Sequence, residues 1–328
     1  MYTWKINLVE NILGRLLFRC TVFLLTAPLA WSSRYPVHKL ASREEDFEGQ
    51  HRIKVLFAIL SIGNSKERNN IIRRNLDILH YGRRYPSDFF IDCSLFAYAK
   101  YEDLPEWFRA MQHDKNPLCT CFHKQGMGYL EAWSKLTPSI LKKHKYDYLM
   151  VTMDDVSLHG PESNLKIDEY LHMVVLLDLA VATPSIENTY HKVLRTKWRW
   201  IFWPGWRWAR WTTNIVGREV DMVEIQSTTF RMDAYSCWFE MIDLRFPSGW
   251  GLDLWWYHYC AKSGRVRHAR QGVIDVFHVV HNKFETTHLP GRKPFTLMRE
   301  QEKNWSARGV VLKRARKTSL GWLVLPQR

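Results

Sequence analysis

Two adjacent carboxylates, Asp154 and Asp155, directly follow an apolar run and form the pattern with the clearest chemical meaning in the chain. The run extends from Tyr148 to Met153. An uninterrupted apolar run of this length is typical of a strand buried on both faces, as in parallel sheets covered by helices. Ligands of open α/β sheets bind at the carboxyl ends of strands. Two neighbouring ionised carboxylates repel each other, and a cation bound between them and a ligand stabilises both in the ionised form. The pattern indicates a metal site, with an aspartate-containing turn as the alternative.

Two further stretches carry side chains suited to chemistry. Glu224 lies in a hydrophobic, strand-like stretch, and Asp253 follows a Trp-Gly turn at the start of an aromatic helix. A carboxylate at a helix start gains from the helix dipole and can also act as an N-cap. His278 and His281 lie three residues apart in a predicted strand, so they face opposite sides of it. At most one of these histidines is therefore expected to point into a given site.

Predicted strands and helices alternate along the chain, and this alternation predicts how the candidate side chains are positioned. The stretch "IKVLFAIL" predicts a strand, and "SIGNSKERNNIIRRNLDIL" predicts a turn and a helix with Ser65 as N-cap. The loop between them has neither the GxGxxG nor the GxxxxGK[ST] pattern, so it does not predict a dinucleotide or P-loop site. Further strands and helices follow in the same order, which favours an α/β fold with a largely parallel sheet.

The composition indicates a folded, basic protein. With 328 residues and 46% hydrophobic content, the chain suits one large α/β domain with appendages or two smaller domains. Lys and Arg number 47 against 33 Asp and Glu, which gives a net charge of +14. Such a surplus favours anionic partners, namely nucleic acid, acidic lipid headgroups or nucleotide phosphates, with a solvated basic surface as the alternative. The surplus is densest in "RRNLDILHYGRR" and "RGVVLKRARK".

The N-terminus has the layout of a secretory-pathway signal. Basic residues precede an apolar run at residues 20–31, and a polar stem follows at residues 32–51. The run is short for a membrane span and contains Pro28, so residues 1–31 are predicted to be either a cleaved signal peptide or a short signal anchor. An amphipathic helix or a buried N-terminal segment is the remaining alternative.

The cysteine count is compatible with an oxidising compartment. One of the six cysteines, Cys20, lies in the apolar run, and the five others permit two disulfides and one free thiol. The sequence does not determine their pairing. A single glycosylation sequon at Asn304 would be usable in such a compartment.

Residues 197–211, "KWRWIFWPGWRWARW", alternate tryptophan with Arg or Lys around a Pro-Gly break. Three interpretations fit this composition: stacking on a sugar or base, lying in a membrane interface, or packing as an aromatic lid with the charges outside. The Pro-Gly pair predicts a turn between short strands or a loop over the site.

The ordered blocks "YDYLMVTMDDV", "VATPSIENTYHKVL", "VEIQSTTFRMDAYSCWFEMI", "GWGLDLWWYHYCA" and "VIDVFHVVH" resemble domain-of-unknown-function family 707 over about residues 53–283. That family is similar in organisation to GT-A glycosyltransferases. The resemblance implies an α/β, GT-A-like (Rossmann-related) domain at residues 52–290, with a mixed, mostly parallel sheet flanked by helices. Residues 291–328 are then expected to form a basic C-terminal extension.

The resemblance also implies roles for the candidate residues. The D-x-D motif of GT-A enzymes corresponds to Met153-Asp154-Asp155, so the first acid is missing here. Asp155 is expected to be the main ligand of a divalent cation, Mn²⁺ or Mg²⁺, and Asp154 to orient the ribose or a metal-bound water. His281, at the position of a family histidine, would complete the metal shell.

The block "GWGLD" is similar to the G-W-G-x-[ED] element of galactosyltransferase-type GT-A enzymes. The resemblance implies that Asp253 is catalytic and lies beside the acceptor hydroxyl. Glu224, Trp250 and Gly251 are expected to contribute to substrate binding, since aromatic walls suit the faces of sugar rings.

The sequence thus predicts a metal-dependent glycosyltransferase that uses a nucleotide-sugar donor and a glycan, protein or lipid acceptor. The N-terminus implies a type II protein of the Golgi or ER membrane with a lumenal catalytic domain, or a secreted protein if the signal is cleaved. Nucleic acid is not expected as a partner. Three alternatives remain: a carbohydrate- or nucleotide-binding protein of the same fold without catalysis, a basic nucleic-acid-binding protein, and a metal-dependent hydrolase.

Overall fold

The computed structural model describes residues 52–84, 88–115, 117–187, 189, 215–246, 249, 251–282, 294–316 and 319–325, all within one compact unit, His51–Arg328. The predicted signal segment, the polar stem, the Trp-rich stretch at 197–211 and Trp250 lie outside the described residues. Within the described ranges, no helix has the length and apolar character needed to cross a membrane.

A ten-stranded sheet forms the centre of the described part of the chain. Its neighbouring strands follow the order β12-β9-β11-β8-β10-β4-β1-β2-β3, and the short β5 pairs with β11. In chain order these strands are β1 (Ile53–Ile62), β2 (Phe89–Ala97), β3 (Thr120–His123), β4 (Tyr148–Met153), β5 (Val156–Ser157), β8 (Val181–Glu187), β9 (Ile215–Val220), β10 (Ser227–Arg231), β11 (Gln271–His281) and β12 (Ser319–Val324). A separate two-stranded sheet contains β6 (His159–Gly160) and β7 (Ser163–Asn164).

The strand directions make this a mixed, mostly parallel sheet. Strands β1 to β4 are parallel to one another, and β8 is parallel to β11. Strand β10 is antiparallel to both β4 and β8, and β9 is antiparallel to both β11 and β12. Seven of the nine strands along this path therefore run in one direction, and β9 and β10 run in the other. The predicted fold class is confirmed.

Helices cover the sheet on both faces. Along β1, Val55 and Phe57 belong to one buried apolar cluster, whereas Leu56 and Ala58 belong to a second. This alternation is the side-chain period of a strand, so both faces of β1 are buried, as its continuous apolar run predicts. The helices are α1 (Lys66–Arg84), α2 (Glu106–His113), α3 (Tyr129–Lys135), α4 (Pro138–Lys143), α5 (Ile167–Leu176), α6 (Met232–Glu240), α7 (Leu252–Trp256), which continues as a π-turn (Tyr257–Ala261), and α8 (Pro294–Ala307).

The described part of the C-terminal segment belongs to the domain, which corrects the prediction of an extension at residues 291–328. Helix α8 buries Met298 and Trp305 in the second apolar cluster, and β12 pairs with β9 at the edge of the main sheet. The basic residues of this segment dominate its composition, but its apolar residues recur at spacings that suit a helix and an edge strand. The sequon residue Asn304 lies on α8, where its amide group exchanges hydrogen bonds with Asp243 and Arg245.

Two disulfides and one free thiol are present among the described cysteines, as the count allowed. The pairs are Cys93–Cys119 and Cys237–Cys260, and Cys121 is free. The first pair ties β2 to the residue before β3, and the second ties α6 to the π-turn after α7. Disulfides of this kind persist in oxidising compartments.

Candidate metal site at the carboxyl edge of the sheet

The ends of two parallel-running strands bring Asp155 and His281 together. Asp155 follows β4 by two residues, and His281 is the last residue of β11. The short β5 leaves the acidic turn and pairs with the end of β11, with His281 opposite Val156. His281 Nε2 therefore lies 3.3 Å from Asp155 Oδ2. The structure thus brings these two predicted metal ligands into contact, and their role as ligands stays a prediction.

One carboxylate oxygen of Asp155 is buried and accepts no hydrogen bond from the described residues. The residue is 1% exposed, and its Oδ1 has no hydrogen-bond partner within the described ranges. Its Oδ2 faces His281 and lies 4.0 Å from a guanidinium nitrogen of Arg68. A buried carboxylate oxygen without a partner costs free energy, and such atoms in native structures commonly accompany a bound ion or water. The arrangement is suited to a cation.

Asp154 is bound by Arg68 of α1. Arg68 Nη1 donates to both carboxylate oxygens of Asp154, at 3.1 and 3.0 Å. Burial raises the pKa of Asp154 to about 7, an effect that Arg68 opposes and the neighbouring Asp155 charge reinforces. The arginine compensates the charge of one of the two adjacent acids. Asp154 as a metal ligand stays a prediction, because in this structure both of its oxygens accept hydrogen bonds from Arg68.

Two asparagines, the buried Asn75 and the partly buried Asn282, hold the acidic turn in place, and sequence reasoning missed both. Asn75 lies seven residues, or about two turns, beyond Arg68 and therefore on the same face of α1. It donates to the Val156 carbonyl and accepts from the Leu158 N–H. Asn282, directly after β11, donates through its backbone and side chain to the Asp155 carbonyl, at 2.8 and 3.0 Å. An asparagine within an apolar helix face was the available sequence signal, but its partner is 81 residues away.

Replacing Asn75 with alanine should lower the free energy of unfolding by about 1–3 kcal/mol, because two buried backbone groups lose their partner. Denaturant unfolding of the full-length chain measures this. Asn70→Ala is the matched control, since Asn70 is exposed on the same helix, and it should change stability by no more than a few tenths of a kcal/mol. Equal effects of the two substitutions would contradict the assigned role of Asn75.

If Asp155 and His281 hold Mn²⁺, as the sequence predicts, replacing Asn282 with alanine should weaken binding of that ion by roughly 10- to 100-fold, as is typical when a group that orients metal ligands is lost. The physical reason is that Asn282 fixes the end of β11, and hence His281, against the backbone of Asp155. Calorimetric titration with Mn²⁺ checks this prediction. Unchanged affinity would mean that strand pairing alone positions His281.

Asp253 lies in the first turn of α7. The N-cap of α7 is Gly251, in the left-handed conformation with φ 94°, so Asp253 is not the N-cap. Burial raises the pKa of the Tyr129 phenol, and the charges of Asp253 and Asp155 raise it further. Both carboxylates are therefore near one hydroxyl, at the start of α3. Sequence reasoning did not identify Tyr129.

The conformation at Gly251 fits only glycine. A Cβ added there would lie 2.8 Å from Met298 Cγ, and positive φ is rarely adopted by other residues. Gly251 therefore lets the chain turn sharply into α7 while α8 packs against the turn. The structure thus shows a conformational role for Gly251, and its predicted role in substrate binding stays a prediction.

Glu224 lies in the loop before β10 rather than in a strand, which corrects the strand-like interpretation of its surroundings. The loop reaches the same edge of the sheet, because the Gln226 carbonyl accepts from the Met153 N–H at 2.9 Å. Glu224 is buried, and its carbonyl accepts from the Thr228 hydroxyl. His278 lies earlier on β11, where its backbone N–H donates to Asn164.

The fold and the site thus describe an α/β protein with an acidic turn and a histidine at the carboxyl edge of its sheet. The chain belongs to the family described as "Protein of unknown function (DUF707)", whose model matches residues 83–320. No curated protein matches it.

Several solved structures align with the chain at low identity. GalNAc-T7 with UDP, GalNAc and Mn²⁺ is 12% identical with a TM-score of 0.49, over 80% of this chain and 51% of that one. S. aureus TarS is 8% identical with a TM-score of 0.44, and the alignment covers 77% of this chain and 39% of TarS. S. aureus TarS 1-349 in complex with UDP-GlcNAc is 10% identical with a TM-score of 0.43, and the alignment covers 76% of this chain and 66% of that one. The chain spans about half the length of the first of these proteins.

Proposed function

We propose that this chain is a metal-dependent glycosyltransferase that transfers a sugar from a nucleotide-sugar to a glycan, protein or lipid acceptor. The observation that carries the proposal is the buried Oδ1 of Asp155, which has no hydrogen-bond partner in the described part of the chain and lies at the carboxyl edge beside His281. Substrates of α/β proteins bind at this edge. The resemblance of "GWGLD" and of the acidic turn to GT-A elements supports the same reaction.

Asp155 and His281 are the residues that would hold the metal. A carboxylate oxygen and an imidazole nitrogen both suit Mn²⁺, and a carboxylate suits Mg²⁺. Within the described ranges, no group of three or more His, Cys, Asp or Glu side chains is placed to hold an ion. Two protein ligands are sufficient when the phosphates of a substrate and water supply the others. The bound ion would neutralise negative charge on the departing diphosphate.

The residues around the ligand pair have separate tasks in this proposal. Arg68 contributes one positive charge beside Asp154 and Asp155, so the two carboxylates and the guanidinium together carry one net negative charge rather than two. Asp253 accepts the proton of the acceptor hydroxyl if the reaction inverts the anomeric centre, which requires hydrogen-bond reach between the two groups. Glu224 lies in the loop beside β4 and contributes to the wall of the donor site.

The proposed location is the secretory pathway, as a type II protein of the Golgi or ER membrane with its catalytic domain in the lumen. The two disulfides support this, because such bonds are rare in reducing compartments. The basic and apolar pattern of residues 1–31 supports the same route. The membrane would be a partner through this segment.

The test is turnover of nucleotide-sugars by the full-length chain, with Mn²⁺ and with a chelator. A panel of nucleotide-sugars is incubated with the protein, and release of the nucleoside diphosphate is measured. We expect release from one or a few donors that requires the metal. Simple sugars and glycans are supplied as acceptors. If the protein then binds a donor in a metal-dependent way but releases no nucleoside diphosphate, it is a binding protein without catalysis. The sequence observation that favours this alternative is Met153, which stands where GT-A enzymes have the first acid.

A further inference from the structure

A cleft of about 410 Å³ is lined entirely by basic side chains and takes no part in the site described above. One wall comes from the π-turn that follows α7, and the other comes from the segment between α8 and β12. The lining residues are His258, Lys262, Lys313, Arg314 and Arg316. The second wall coincides with the basic stretch "RGVVLKRARK" of the sequence.

Backbone hydrogen bonds fix the shape of this cleft. The Ala315 N–H donates to the Leu254 carbonyl at 2.7 Å, and the Arg316 N–H donates to Asp221 Oδ2 at 2.7 Å. The opposite wall is anchored by the disulfide between Cys260 and Cys237. The backbones of both walls are thus fixed, and this fixed backbone brings the basic side chains together.

Most of the positive charge in the cleft is not neutralised by ion pairs. Arg314 is paired with Glu302, at 2.6 and 2.7 Å. Lys262, Lys313 and Arg316 form no ion pair among the residues that the structure describes, and all three are exposed. Cations that converge without carboxylate partners repel one another, and an anion relieves this repulsion.

His258 lies within reach of the same cations. Burial lowers the pKa of His258, and the charges of Lys262, Lys313 and Arg316 lower it further. The buried Asp221 acts in the opposite direction without reversing the shift. The cations of both walls thus act on one imidazole within the cleft.

The cleft is lined by none of the residues of the acidic turn or of β11. Asp221, which holds Arg316, directly follows β9, and Glu219 of β9 pairs with Gly272 at the start of β11. Through β8 and β10, Gly272 is level with Met150 of β4, which lies three residues, or about 10 Å at 3.3 Å per residue, before the end of that strand. Neither Asp155 nor His281 lines the cleft, so the cleft is a separate set of side chains from the proposed metal ligands.

We propose that this cleft is a second binding site, for a small molecule that carries a phosphate or sulfate ester. Three uncompensated cations suit a doubly charged oxyanion. The cleft volume falls in the range of small-molecule sites and is larger than a bare ion would occupy. The charges converge on one cleft instead of following an extended face, which favours a small ester over a nucleic-acid strand. The proposal does not rest on the proposed transferase activity.

The experiment is calorimetric titration of the full-length chain with glucose 6-phosphate, glucose 6-sulfate, inorganic phosphate and glucose. A chelator is present so that binding at a divalent-cation site is suppressed. The test variant is Lys262→Gln/Lys313→Gln/Arg316→Gln, and the control is Arg74→Gln/Lys142→Gln/Lys143→Gln, which removes the same charge from other exposed positions. We expect the test variant to lose affinity for the esters by on the order of tenfold or more and the control by less than about twofold. Glucose should not bind.

Three results would overturn the proposal: ester affinity unchanged in the test variant, an equal loss in the control variant, or a single-stranded oligonucleotide that binds far more tightly than either ester through the same three residues. Vesicles of phosphatidylcholine with and without phosphatidic acid form an additional arm. Phosphatidic-acid binding that the test variant loses would identify a lipid as the source of the same phosphate chemistry. If the triple variant does not fold, Lys262→Gln and Lys313→Gln are measured singly and should each weaken ester binding.

Discussion

Replacing Asp155 with asparagine should weaken metal-dependent binding of the nucleotide-sugar donor by at least about 100-fold, or roughly 2.7 kcal/mol. Asp155 is one of two proposed protein ligands, and its Oδ1 is the buried oxygen without a partner in the described structure. An amide carries no charge, and its nitrogen repels a cation. The measurement is thermal unfolding of the full-length chain with nucleoside diphosphates and nucleotide-sugars, with and without Mn²⁺. A ligand that binds the folded state raises the unfolding temperature even when the acceptor is unknown.

The fold should survive this substitution. Asparagine matches aspartate in shape, and removal of one buried negative charge leaves Asp154 paired with Arg68. Without ligand, the unfolding temperature of Asp155→Asn should equal or exceed that of the natural chain. Asp103→Asn is the matched control, because Asp103 is exposed in a surface turn. A metal-dependent ligand shift that persists in Asp155→Asn would remove Asp155 from the metal site.

The sequence could predict those parts of the site that depend on a local pattern. The apolar run before Asp154 predicts a buried strand, and β4 ends at Met153 as this pattern requires. The two-residue period of a strand predicts that His278 and His281 differ in direction, and His281 is the one that contacts Asp155. Ser65 caps α1 as predicted, with its hydroxyl 3.4 Å from the Arg68 N–H.

The groups that hold the acidic turn depend on contacts between distant parts of the chain. Arg68 is 86 residues from Asp154, and Asn282 is 127 residues from Asp155. No local pattern marks such a pair, because any exposed arginine or asparagine looks the same in sequence. The arrangement becomes visible once β1, β4 and β11 are placed in one sheet, since the elements that follow β1 and β11 then meet the turn after β4.

The C-terminal segment was mispredicted for a related reason. Its basic composition indicated a solvated extension, yet Trp305 is buried and β12 completes the sheet beside β9. Edge strands with exposed faces have weak apolar patterns, and Leu320 and Trp322 of β12 are indeed exposed. The pairing of the cysteines is likewise a property of the folded sheet, because Cys93 meets Cys119 through the neighbouring strands β2 and β3.

Replacing Asp253 with asparagine should reduce donor turnover by about 10²- to 10⁴-fold, the contribution of a general base. Metal-dependent donor binding should change by less than about threefold, because the substitution leaves Asp155 and His281 intact. Asparagine can still accept the hydrogen bond that Leu254 N–H donates to Asp253 Oδ1, so the start of α7 should be preserved. Release of the nucleoside diphosphate and the ligand-induced thermal shift, measured on the same preparation, separate the loss of turnover from a loss of binding.

Asp253→Glu distinguishes a proton acceptor from a purely structural residue. Glutamate keeps the carboxylate, and both acids occur at this position of the G-W-G-x-[ED] element, so Asp253→Glu should retain part of the turnover that Asp253→Asn loses. If both substitutions reduce turnover equally and also lower the unfolding temperature, the carboxylate stabilises the first turn of α7 through the helix dipole instead. If Asp253→Asn leaves turnover unchanged, another group takes the acceptor proton.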